Sequence, residues 1–164
     1  MTSAAAPVRA SPAPVLTLWA AVVAERLGHK PDAALSLASA VAGTAAGARA
    51  RRLDASGPGE GCIALLGRAV PVARAPDGSL RAVDAAGQPA DPEPVRRYLA
   101  RAFGARLAEV RAAMEARAAS LPPEELNCLG FRLYEAFRPA APEPAPGGPR
   151  KGVLHLDRIL RAVG

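Results

Sequence analysis

The chain has 164 residues, enough for one modest hydrophobic core. Its apolar share is 50%, but much of that is alanine and only 4% is aromatic, so Trp19, Tyr98, Phe103, Phe131, Tyr134 and Phe137 are the expected core anchors. A formal charge of +6 favours an acidic partner, while Cys62 and Cys128, lacking CxxC spacing and companion histidines, argue against a zinc site and a disulfide framework.

Residues 1–14 are rich in Ala, Ser and Pro and read as a disordered tail. A single mostly helical domain is expected over 15–138, opening with a helix near Leu16. In that helix Leu16, Ala20, Val23 and Leu27 form one stripe beside Trp19, and Leu18 and Val22 make the opposite side apolar as well. A helix apolar on two faces packs inside a core or against a second chain, which makes Leu18, Trp19 and Val22 candidate interface residues. The run from Val15 to Ala24 also resembles a short targeting core, so a cleaved N-terminal segment is the minor alternative to a cytoplasmic chain. Against cleavage stand Pro12 and Pro14 before the run and Glu25-Arg26-Leu27 continuing it. No apolar run approaches bilayer-spanning length.

Gly28 is placed to end the first helix, and Pro31-Asp32 to open a second reaching about Ala48, the two forming a helical hairpin. Beyond Gly57-Pro58-Gly59-Glu60-Gly61 the period changes. Residues 62–66, 69–73 and 80–83 read as a small antiparallel β insert near 62–84, with Pro76-Asp77-Gly78-Ser79 as a turn and Pro71 placing its strand on an edge. A long helix should run from Asp91 to Ser120 on the stripe Val95, Leu99, Ala102, Phe103, Leu107, Val110 and Met114, with Gly104 its weak point. Another spans Pro123 to Phe137, bounded by Pro139. A Pro/Gly-rich linker over 139–150 leads to a short docking element, 151–164. The fold class is therefore α+β, predominantly α-helical.

No motif carries chemistry past its structural explanation. The Gly57, Gly59, Gly61 spacing follows a helix and opens a strand, the reverse of a phosphate loop, and no Gly-Lys-Ser/Thr follows. His155 and Asp157 lie two apart, but no nucleophile motif accompanies them and His29 is the other histidine; Asp157 reads as an N-cap. Cys62 and Cys128 read as inert core thiols, and Glu124 and Glu125 as first-turn acids that suit the helix dipole. Catalytic residues, cofactor and metal are accordingly read as none.

The arginines remain. Nearly every cation is Arg, Lys30 and Lys151 being the lysines, as a GC-rich bacterial genome would produce without selection. Arg97, Arg101 and Arg111 lie opposite the apolar stripe of the long helix, with Glu93 and Glu115 as partial counter-ions. With Arg49, Arg51 and Arg52 after the second helix, Arg97 and Arg101 form a candidate phosphate-contacting set. The second helix offers few base-reading groups, Ser36, Ser39 and Thr44, so binding without sequence readout is the most these residues support. A non-enzymatic interaction protein with nucleic acid as partner is the leading expectation. Its rivals are a protein adaptor or self-associating module, and a small enzyme for an anionic metabolite.

Overall fold

The first helix organises the molecule. In a computed structural model that describes residues 8–41, 62–83, 87–139 and 152–162, α1 spans Pro12–Arg26, and every residue from Pro14 to Ala24 is buried. It packs on α2 (Pro31–Val41), α3 (Glu93–Phe103), α4 (Leu107–Ala119) and α5 (Pro123–Phe137). An all-round apolar helix has no side that prefers water, so it becomes the centre. Thr17, buried within it, donates its hydroxyl to the Ala13 carbonyl at 2.8 Å.

At the end of α1 the Gly28 amide bonds the Glu25 carbonyl and the His29 amide bonds the Ala24 carbonyl, the two bonds of a Schellman cap. Gly28 takes φ 109°, a conformation open to glycine, and the chain reverses into α2. All of α2 except Pro31, Asp32 and Ser39 is buried, and the Ser36 hydroxyl accepts the Ala82 amide at 3.0 Å, tying the helix to the sheet.

The insert is a three-stranded antiparallel meander of β2 (Cys62–Leu65), β3 (Arg68–Arg74) and β4 (Leu80–Ala82). Pro71 sits in the central strand, not on an edge. It is tolerated because β3 changes partner there: Arg68–Pro71 pairs with β2 and Val72–Arg74 with β4. The Pro71 carbonyl accepts the Val83 amide, so the missing N–H faces that side too and removes no bond to β2.

Leu66 and Gly67 close the β2–β3 hairpin with φ of 54° and 77°, the positive pair a tight primed turn needs. Leucine is a costly occupant of that position, by roughly 1–3 kcal/mol, and α5 holds it there. The Asn127 side chain accepts the Leu66 amide at 2.8 Å and donates to the Ala64 carbonyl at 3.0 Å. The buried Leu66 side chain lies against Gly130, where a Cβ would collide with its Cδ2. The Gly130 carbonyl in turn accepts the indole N–H of Trp19 at 2.8 Å, and Trp19 meets Phe137 edge-on at 5.3 Å.

The expected long helix is two helices. Gly104, at φ 56° and ψ −134°, ends α3; a 3₁₀ turn over Gly104–Arg106 follows, and α4 restarts at Leu107. The tail expectation also needs correction within residues 8–14. Val8–Ala10 is a strand, β1, and α1 begins at Pro12, since proline fits a first turn that needs no amide donor. β1 pairs antiparallel with β5 (Gly152–Leu154), Val8 opposite Leu154, and Val8, Ala10 and Leu154 are buried. The short α6 (Leu156–Arg161) then docks on α4 and α5 through buried Ile159. Arg117 of α4 fixes its end, donating to the Ala162 carbonyl at 2.8 Å.

Three side-chain expectations also change. Tyr98 is an exposed residue of α3, not an anchor, because Val95, Leu99 and Phe103 fill the inward stripe. Cys128 is exposed, not a core thiol, since it lies half a turn from the buried stripe Leu126, Gly130, Leu133, Phe137. His155, not Asp157, is the N-cap of α6, and Asp157 falls in the first turn. Residues 1–7, Arg49, Arg51, Arg52, Thr44, the Gly57–Gly61 segment, the linker from residue 140 to 150 and the side chain of Cys62 lie outside the described residues.

Candidate nucleic-acid interface

The candidate surface is the outer side of α3. Asp91 accepts the Glu93 amide at 3.1 Å as the helix begins, and Glu93 adds an acid to the first turn. Val95, Leu99 and Phe103 then turn inward at intervals of four, so Arg97, Tyr98 and Arg101 are forced outward within one arc of about 100°. Two like charges one turn apart repel each other modestly, so this face is not arranged for helix stability.

Most arginines nearby are spoken for. Arg96, on the flank of α3, is ion-paired with Asp32 of α2 and with Glu93. Arg106 makes a two-pronged contact with Glu109 at 2.9 and 3.0 Å. Arg111 bridges Glu25 of α1 and Glu115, the latter at 3.0 Å. Burial works to lower the pKa of Arg111, but the hydrogen bond and charge of Glu25, with those of Glu115, outweigh it and raise the pKa. Arg26 closes the α4–α5 turn by donating to the Leu121 carbonyl at 3.1 Å. Of the two acids expected to balance the outer face, Glu115 does engage Arg111, whereas Glu93 pairs with Arg96 on the flank. Among the described residues no carboxylate comes within ion-pairing distance of Arg97 or Arg101.

Beside the two arginines, at the edge of the same arc, lies Tyr98, 41% exposed. Sequence reasoning missed it by counting every aromatic as core; its place beside Arg97 and one turn before Arg101 was the signal available. Partial burial pushes its hydroxyl pKa up, so the ring stays neutral at physiological pH.

Leu18, Trp19 and Val22, the candidate interface residues, are covered by the chain itself. A cavity of about 230 Å³ opens where α1 to α4 meet, with Leu18, Leu35, Leu99 and Leu107 as its floor and Glu25, Arg96 and Arg111 among its lining. A second, shallower hollow of about 470 Å³ is lined by His155, Asp157, Arg158 and Arg161. There Asp157 faces Arg161 at 3.8 Å. Among the described residues no cluster of His, Cys, Asp and Glu has the makings of a metal site, and no helix is long and apolar enough to cross a membrane. Comparison of the chain with protein-family models, with curated proteins and with solved structures found no match.

Proposed function

We propose that this protein is a small, non-enzymatic, cytoplasmic nucleic-acid-associated protein that holds the phosphate backbone through the outer face of α3. One observation carries the reading: Arg97 and Arg101 are exposed without a carboxylate partner among the described residues, while Arg96, Arg106 and Arg111 around them are paired. A guanidinium with its donors free binds a phosphate oxygen without first breaking an ion pair. The net charge of +6 favours approach of a polyanion. Sequence readout is no part of the proposal, because α2, the second helix of the hairpin, is buried along most of its length and presents no row of side chains to a groove.

The test is a titration against duplex DNA at several salt concentrations. Arg97→Ala and Arg101→Ala should each reduce the log-log salt slope by roughly one and weaken all sequences alike. Arg158→Ala is the control, being exposed on α6, which packs on α4 and α5. Equal effects at all three positions, or no binding near physiological salt, overturn the proposal.

The cavity where α1 to α4 meet favours the second reading, an enzyme for a small anionic metabolite. Both of its arginines already hold carboxylates, which an anionic ligand would have to displace, so this reading ranks lower. The adaptor reading loses its surface with the burial of Leu18, Trp19 and Val22.

A further inference from the structure

We infer that the α3 face takes single-stranded nucleic acid in preference to duplex, one unpaired base stacking on the ring of Tyr98 while Arg97 and Arg101 hold the flanking phosphates; this rests on the function proposed above. The chain has six aromatic side chains in 164 residues. Trp19, Phe103, Tyr134 and Phe137 are buried, and Phe131 packs against the core and lies 5.8 Å from the Tyr134 ring. The sixth, Tyr98, is 41% exposed, so a protein short of large core side chains leaves one of them partly open to water. It flanks, on the same outer arc, the two arginines of α3 that lack a carboxylate partner among the described residues. Arg97 and Arg101 are separated by about 6 Å along the helix axis, with Tyr98 inside that span.

This combination fits one occupant by its chemistry. A polyanion satisfies the arginines, and a flat π-surface satisfies the phenol ring, giving the pairing of basic groove and aromatic platform by which unpaired strands are held. In a duplex the base faces are covered by their neighbours and only base edges reach the grooves, so a ring on a convex helix finds nothing to stack on. An unpaired strand presents both faces of every base. Stacking of this kind tolerates any base, in keeping with the lack of readout groups on α2. The ring supplies the contact and the hydroxyl is dispensable.

The experiment uses the full chain and two probes of equal length, a labelled dT oligonucleotide and a mixed-sequence duplex, titrated by fluorescence anisotropy at several salt concentrations. Wild type should bind the oligonucleotide more tightly than the duplex. Tyr98→Ala should lose roughly five- to 100-fold in affinity for the oligonucleotide with its salt slope unchanged, and Tyr98→Phe should bind like wild type. Duplex binding should be the same in all three. Arg97→Ala and Arg101→Ala should lower the salt slope on both probes. In Tyr98→Trp the new indole emission should be quenched by the oligonucleotide and not by the duplex. If Tyr98→Ala binds the oligonucleotide as wild type does while the arginine variants still lose slope, stacking is refuted and the backbone-binding function stands. If neither probe binds at 50 mM salt, both fall.

Discussion

Helices α1 and α3 have nearly opposite surfaces, and the contrast separates folding from function. From Pro14 to Ala24 every side of α1 is covered, so each of those residues is accounted for by packing. Only Val95, Leu99 and Phe103 of α3 are buried, and its outer side carries charges and a part-exposed ring. A side chain already committed to the core has no binding left to explain. Arg97, Tyr98 and Arg101 do.

The sharpest way to break the contrast is to damage the centre. Trp19→Ala removes a fully buried indole, its edge contact with Phe137 and its bond to the Gly130 carbonyl, and should cost about 3–5 kcal/mol in urea unfolding. A smaller loss would mean that α1 is not the hub. Gly130→Ala comes next. Its Cβ would land on Cδ2 of Leu66, so that buried side chain must shift within a packed core, for an expected cost of about 1–3 kcal/mol. If Gly130→Ala melted with wild type, Leu66 would not be held as tightly as the structure shows.

A smaller effect belongs to His29, just past the end of α1, whose pKa burial lowers from its ordinary 6.5. The folded state thus favours the neutral ring and the unfolded chain takes up the proton more readily. Stability from this residue is complete above pH 6.5 and declines as pH falls through 6.5 toward the lowered value. Melting temperatures measured from pH 7.5 to 5 should show that decline, and His29→Gln should flatten it. The smallest effects sharpen the other side of the contrast. Arg97→Ala and Arg101→Ala should each stay within about 0.5 kcal/mol of wild type, since neither supports the core, and Tyr98→Ala, which loses a part-covered ring, should cost no more than about 1 kcal/mol. A large loss in any of them would make the outer face of α3 structural.

Where neighbouring residues decide a conformation, the sequence was readable. Pro123 and Pro139 bracket α5, Gly28 ends α1, Asp77-Gly78 turns the chain between β3 and β4, and the helical classes and small antiparallel insert follow from such local signals. Where a distant partner decides, it was not. Val8–Ala10 is a strand because Gly152–Leu154 lies beside it, and three residues near two prolines carry no strand period of their own. Pro71 enters a central strand because that strand changes partners beside it, and Leu66 adopts a positive φ because Asn127 and Gly130 of α5 receive it. The outward placement of Arg97 and Arg101 was visible in the helical period. The pairing of Arg96 with Asp32 and of Arg111 with Glu25 crosses between helices and was not.

The central place of α1 also has a consequence for the order of synthesis. A ribosome makes this helix early, whereas α4 and α5, which cover two of its sides, follow some 80 to 110 residues later. At elongation speeds of about 5–20 residues per second, its apolar surface emerges on the order of 10 s before its cover does. Helix α2 arrives soon after and shields one side, but the indole of Trp19 has no acceptor until Gly130 is made. The nascent chain therefore passes through an interval in which a helix apolar on every side lacks much of its cover, and a holding chaperone would find a natural target there.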